Sequence, residues 1–175
     1  MPVADSRFQK DANPAAHRES LQQTRQEALD QWLKDIDAGA ARAVLENLRG
    51  CSPQDGRILY DLILARGCKR GLEIGTGQGG SAIWMGLAFK KNGGKLTTIE
   101  IDAERAKTAV EVFKKAGLDG VIECRNNDAF KEVPTLEGTF DFVFMDPGTP
   151  QHKQFLDLVY SHVSPGGAIT SHEAN

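Results

Sequence analysis

Three acidic residues stand at or just inside the carboxyl ends of short apolar runs: Glu73 in G-L-E-I, Glu100 in K-L-T-T-I-E and Asp146 in F-D-F-V-F-M-D. A carboxylate so placed accepts hydrogen bonds from hydroxyls or holds a cation, and it repels a phosphate. Two residues after Glu73 the chain reads Gly75-Thr76-Gly77-Gln78-Gly79-Gly80, and then S-A-I-W-M begins a helical pattern. A strand, a glycine turn and a helix N-terminus present backbone N–H groups to a ligand. Glycine is required there because side chains would hold the ligand off the backbone and because such turns need positive φ.

The elements that must position these residues follow from the spacing of apolar positions. Residues 1–14 show no periodicity and read as a loose leader. Leu21, Ala28, Leu29, Trp32, Leu33 and Ile36 give a helix over about 15–37, and Ala40, Val44, Leu45 and Leu48 give a shorter one stopped by Gly50. Ser52-Pro53-Gln54-Asp55 starts a third helix that Gly67 ends. From there strand and helix alternate. Strands are predicted at 71–74, 95–101, 121–124, 140–145 and 168–171, with helices at 81–90, from Asp102 to Gly117, briefly after Asp128, and at 151–163 before Ser164-Pro165-Gly166-Gly167. Repeated β-α units define an α/β fold with a doubly wound, mostly parallel sheet. In such sheets ligands bind outside the carboxyl ends of the strands. The segments at those ends are 73–81, 100–102, 126–129, 146–149 and 172–175.

Composition narrows the function classes. The 175 residues, 40% hydrophobic and 26% charged with a formal net charge of −3, suit one soluble globular domain. They lack the clustered basic surface of a nucleic-acid binder. No apolar run reaches the length of a membrane span. Three widely spaced cysteines form no disulfide framework, and the expectation is reduced thiols in a cytoplasmic protein.

The glycine turn fits two ligands. Gly75-x-Gly77-x-x-Gly80 matches the dinucleotide fingerprint, whereas Glu73-x-Gly75-x-Gly77-x-Gly79 matches the acidic-glycine loop of S-adenosylmethionine enzymes. Glu100, at the distance where a ribose-binding carboxylate is expected, suits both. Glu73 and Asp146 favour the second, because carboxylates from three strands repel a diphosphate and suit an ammonium, a sulfonium and a ribose.

With L-E-I-G-T-G-Q-G-G-S-A-I-W-M-G at 72–86, L-T-T-I-E-I-D at 96–102, N-D-A at 127–129, F-D-F-V-F-M-D at 140–146 and P-G-G-A-I at 165–169, the chain resembles the class I S-adenosylmethionine-dependent methyltransferases. Within that Rossmann-like superfamily it is similar to the catechol and caffeoyl-CoA O-methyltransferase group. The resemblance covers about residues 52–172. It implies that Glu73, Gly75, Thr76, Gly77 and Ser81 surround the methionine part of the cofactor and that Glu100 holds the ribose hydroxyls. It places Asp128 and Ala129 against the adenine with Ile101 as an apolar neighbour. Asp146 would face the methyl-transfer site and, in metal-dependent members, ligate a divalent cation. The implied reaction is in-line transfer of a methyl group to an oxygen of a small hydroxylated acceptor, catechol-like or acyl. Residues 51–175 would form the cofactor-binding domain, and residues 1–50 a cover, a lid or the surface of a homodimer.

The chain departs from that group in three places. The lysine that commonly follows the strand-four aspartate is replaced by Thr149, and the Asp-Asn pair at the end of strand five by His172-Glu173. Asp146, His172 and Glu173 form a candidate set for Mg²⁺, Mn²⁺ or Zn²⁺, the imidazole favouring the latter two; in a metal-free pocket His172 would be a polar wall or a base. The sequence also stops after the fifth strand where the superfamily has seven, which would leave an apolar edge open. The expectation is a fragment, or an edge covered by another chain. These departures keep a non-catalytic cofactor-binding module as the alternative, with an NAD-dependent oxidoreductase behind it.

Overall fold

The computed structural model describes residues 14–34, 36–48, 50–148 and 150–172. Residues 1–13 of the predicted leader, Thr149 and Glu173 therefore lie outside the described residues, and Pro14, the last residue of that leader, instead opens a helix. Strands β1 (Arg70–Ile74), β2 (Lys95–Glu100), β3 (Ile122–Asn126), β4 (Phe140–Met145) and β5 (Val163–Ser171) form one parallel sheet in the order β3-β2-β1-β4-β5. The order reverses between β1 and β4, so β1 is central and its carboxyl end lies at the switch point. This is the Rossmann-like α/β architecture expected from the alternation.

Helices α1 (Pro14–Leu33), α2 (Ala41–Asn47), α3 (Pro53–Arg66), α4 (Gly80–Asn92), α5 (Ala103–Lys115), α6 (Ala129–Glu132) and α7 (His152–Tyr160) cover the sheet. On one face α3, α4 and α5 pack with Phe142 and Phe144. On the other, α6 and α7 pack with Leu72, Ile74, Val143 and Met145. Both faces of β4 are thus covered, which is why its sequence is almost wholly apolar. Leu29 and Leu33 of α1 and Ala41 and Leu45 of α2 join the core that α3 and α4 share.

Local signals set most boundaries. Ser52 Oγ accepts the Asp55 N–H at 3.1 Å, and α3 ends at Gly67 in the left-handed conformation. Asp102 caps α5 by accepting the Arg105 N–H at 2.9 Å. Helix α4 is buried on every residue from Gly80 to Phe89 because it is enclosed between the sheet and the helices outside it.

Several predicted boundaries are corrected. Helix α1 ends at Leu33 rather than near residue 37. Strand β3 runs to Asn126 rather than 124, carried by parallel pairing of Ile99 with Arg125 and of Glu100 with Asn126. The predicted helix at 151–163 stops at Tyr160, and Ser164-Pro165-Gly166-Gly167 lies inside β5. There it forms a bulge: Phe140 pairs with Val163, but Phe142 pairs with Ala168. The Ser164 hydroxyl donates to the Phe140 carbonyl at 3.0 Å and holds the extra residues against β4. None of the nine residues of β5 is fully buried, and among the described residues its outer edge has no partner strand.

Helices α3 and α4 approach closely where Gly56 meets Trp84, and an added Cβ there would stand 2.3 Å from the indole ring. Both Gly56 and the indole are buried, so neither can withdraw into solvent. Gly56→Ala should lower unfolding stability by about 1–3 kcal/mol through overpacking, read as a lower denaturant midpoint. An unchanged midpoint would show that α3 shifts away without penalty.

Candidate functional site

A cleft of about 360 Å³ opens at the carboxyl ends of β1, β2 and β4. Its floor is the peptide between Ile74 and Gly75. The Ile74 carbonyl accepts the Asp146 N–H at 2.8 Å, and the Gly75 N–H donates to the Ile99 carbonyl at 3.0 Å. Gly75 has φ +92°, and a Cβ there would lie 2.0 Å from the Asp146 carbonyl oxygen. Glycine is thus required at this position twice over, by conformation and by space.

Glu100 reaches the cleft from the end of β2 and is only 4% exposed. Its Oε2 accepts the Gly77 N–H at 2.8 Å and its Oε1 the Asp102 N–H at 3.0 Å. Since a carboxylate offers about four acceptor sites, it can hold the glycine turn and still accept ligand hydroxyls. Ile101 follows at 71% exposure and forms an apolar wall. Across from it, Asp128 caps α6 through the Phe130 N–H at 2.9 Å, and Ala129 is buried behind.

Glu73 is placed differently from the other two acids. It is fully buried and absent from the cleft wall, one layer beneath the turn. Alternation along β1 directs it away from Leu72 and Ile74 toward α4, and pairing sets it opposite Thr98. Its Oε1 accepts from the Ser81 hydroxyl at 2.5 Å and its Oε2 from the Thr98 hydroxyl at 2.6 Å. Thr98 Oγ1 lies 2.6 Å from Thr76 Oγ1. Thr76 and Ser81 therefore line the cleft with oxygens anchored on a carboxylate below. Burial, only partly offset by these hydroxyls, raises the Glu73 carboxyl from 4.5 to about 7, and Asp146 and Glu100 add to the rise.

Asp146, beyond β4, is half-buried at the cleft rim, and its Oδ1 lies 3.7 Å from His172 Nδ1. Among the described residues no group of three His, Cys, Asp or Glu side chains forms a metal-binding constellation, and the third predicted donor, Glu173, lies outside them. His152, on α7, sits 3.3 Å from the Ser171 hydroxyl at the end of β5. All three cysteines are free; burial first, then neighbouring carboxylates, pushes the Cys51 thiol up to about 12.

The structure adds residues that the sequence reading missed. Phe130 and Phe155 stack with centroids 4.7 Å apart, and both line the cleft. Arg105 also faces it. Thr98 had a legible signal, a polar residue in an otherwise apolar strand, in register with Glu73. The Phe130–Phe155 pair had none, since the two rings come from separate helices.

Comparison with known proteins agrees with this fold. Residues 72–174 match the family described as "Methyltransferase domain". A catechol O-methyltransferase of Niastella koreensis is 33% identical over 124 residues, covering 69% of this chain and 56% of that protein. An Arabidopsis thaliana protein named for caffeoyl-CoA O-methylation is 29% identical over 160 residues, covering 82% of this chain and 68% of that protein. Among solved structures, the Bacillus cereus O-methyltransferase in complex with S-adenosylhomocysteine superposes with a TM-score of 0.66 at 26% identity, covering 82% of this chain and 64% of that one. The O-methyltransferase TomG of Streptomyces achromogenes, in complex with S-adenosylmethionine, gives 0.64 at 31% identity, covering 82% and 63%. The chain spans somewhat over half the length of the Niastella relative. The fold and these matches are those of a class I methyltransferase. The chain belongs to the methyltransferase-domain family, and its relatives include proteins named for catechol and caffeoyl-CoA O-methylation.

The Glu73 carboxyl gives a pH signature. Because its folded value is raised, the stability associated with its neutral form is fully present below pH 4.5 and is lost as pH rises through about 7. The loss should be on the order of 2–3 kcal/mol, and Glu73→Gln should flatten it. Denaturant midpoints measured across that range check this; parallel profiles for the two proteins would assign the pH dependence elsewhere.

Proposed function

We propose that this chain binds S-adenosylmethionine and forms the catalytic domain of an O-methyltransferase acting on a small hydroxylated acceptor, catechol-like or acyl. The observation that carries the reading is the acceptor-rich wall of the cleft. Glu100 and Asp146 line it directly, and Thr76 and Ser81 line it with hydroxyl oxygens tied to Glu73. Such a wall suits an ammonium, a sulfonium and ribose hydroxyls and opposes a diphosphate. That weighs against the dinucleotide reading of the same turn.

In this reading Gly75 and Gly77 let the amino-acid end of the cofactor approach the backbone, with Thr76 and Ser81 beside it. Glu100 accepts from the ribose hydroxyls. Ile101, Asp128 and Ala129 border the adenine. The bound cofactor supplies a methyl group already activated on a sulfonium, so the protein's work is chiefly alignment and removal of the acceptor's proton. Asp146 and His172 stand together at the rim, where the imidazole can take a proton from an acceptor hydroxyl and the carboxylate can stabilise the imidazolium. Asp146 and His172 supply two of the donors a divalent cation needs, and no step here depends on one.

Calorimetry with S-adenosylhomocysteine tests the cofactor, and release of that product with catechol and hydroxylated acyl acceptors tests the reaction. Glu100→Ala should weaken cofactor binding by about 1–3 kcal/mol, the loss of a buried charged hydrogen-bond acceptor. Unchanged affinity would remove Glu100 from the ribose. Cofactor binding without turnover on any acceptor would favour a non-catalytic binding module.

A further inference from the structure

The hydroxyl chain under the glycine turn has a direction, and that direction depends on one proton. Thr98 has a single hydroxyl proton, and with Glu73 ionised it donates that proton to Glu73 Oε2. The 2.6 Å contact between the two threonines then requires Thr76 to donate to Thr98. Ser81 likewise donates to Glu73 Oε1. In this state Thr76 and Ser81 both turn lone pairs toward the cleft. With Glu73 protonated, its O–H must donate to Thr98 or to Ser81. If to Thr98, the chain reverses: Thr98 donates to Thr76, whose own proton is left for the cleft or for Cys124 Sγ, 4.0 Å away. If to Ser81, the Ser81 proton is displaced instead. A displaced proton that faces the cleft makes that wall oxygen a donor, which repels an ammonium.

The surroundings favour the neutral acid in the free protein. Glu73, Thr98, Thr76 and Ser81 are all buried. The charges that act on Glu73 are Glu100 at the end of β2 and Asp146 at the end of β4, both negative. The thiols of Cys51, before α3, and Cys124, on β3, are raised above their usual 9 by burial first, with nearby carboxylates including Glu73 adding to the rise, and are hence neutral. An arriving cationic group would supply the missing countercharge.

We propose that Glu73 and Thr98 act as a proton-coupled relay that sets the hydrogen-bonding sense of Thr76 and Ser81, so that a ligand bearing an ammonium group binds with release of the Glu73 proton to solvent. The inference rests on the cofactor reading above and makes Thr98 a positioning residue that need not touch the ligand. Affinity should rise with pH up to about 7 and level off beyond it.

The test is calorimetry of S-adenosylhomocysteine binding from about pH 5.5 to 8.5 in buffers of different ionisation enthalpy. The wild-type chain should release close to one proton per site at the acid end and almost none at the alkaline end. Its dissociation constant should weaken about tenfold per pH unit at the acid end. Glu73→Gln should abolish both effects, Thr98→Val should diminish them, and His172→Gln should keep them. If the buried variants fail to fold, the wild-type proton count together with His172→Gln decides. Binding with no proton release, or a slope lost in His172→Gln, overturns the relay while leaving the cofactor reading intact. No binding at any pH removes the cofactor reading and the relay with it.

Discussion

The cleft depends on the Ile74–Gly75 peptide being pinned from both sides. Its carbonyl is held by the Asp146 N–H and its N–H by the Ile99 carbonyl, so the carboxyl ends of β4, β1 and β2 are fixed at one level. The approach needed for this leaves no room for a side chain at Gly75. Glu100 and Asp146, from the ends of the strands on either side, then both line the cleft, each carried by backbone fixed at this peptide.

The burial of Glu73 follows from the same constraint. Once β1 is central and paired in register with β2, an odd-face side chain at position 73 must lie beneath α4 and opposite Thr98. Three hydroxyls satisfy the resulting network, two of them directly on the carboxyl group. A buried acid with hydroxyl partners and negative neighbours is unfavourable as an anion. The site tolerates this because the acid has a neutral form available at ordinary pH.

Much of this architecture was legible in the sequence, for identifiable reasons. The Ser52 and Asp102 caps, the Gly67 stop and the apolar run of β4 are local signals that local structure obeys. Glu100 ends β2 and lines the cleft, because a strand end followed by a helix cap leaves one position for it. The distance of Glu73 from the glycines is visible in the sequence, but its face of the strand, which directs it beneath the turn, depends on the pairing with β2. The Ser164–Gly167 stretch was read as a break between helix and strand, since Ser, Pro and Gly signal both a stop and a bulge; pairing of Val163 with Phe140 settles which. The aromatic pair across the cleft depends on how α6 and α7 pack over the sheet, and no sequence period encodes that.

That aromatic pair divides the chain into two halves with different freedom to change. One cleft wall comes from residues 75–130 and the opposite one from residues 146–155, and the walls meet through the Gly75–Asp146 backbone and the Phe130–Phe155 stack. The first wall is tightly interlocked, since Glu100, Thr76, Ser81 and Asp128 each hold a second residue, so drift there disturbs several partners at once. The second wall holds Pro147 and Gly148, which belong to no strand. A change in that short, late segment therefore reshapes one side of the cleft and leaves the interlocked side as it is.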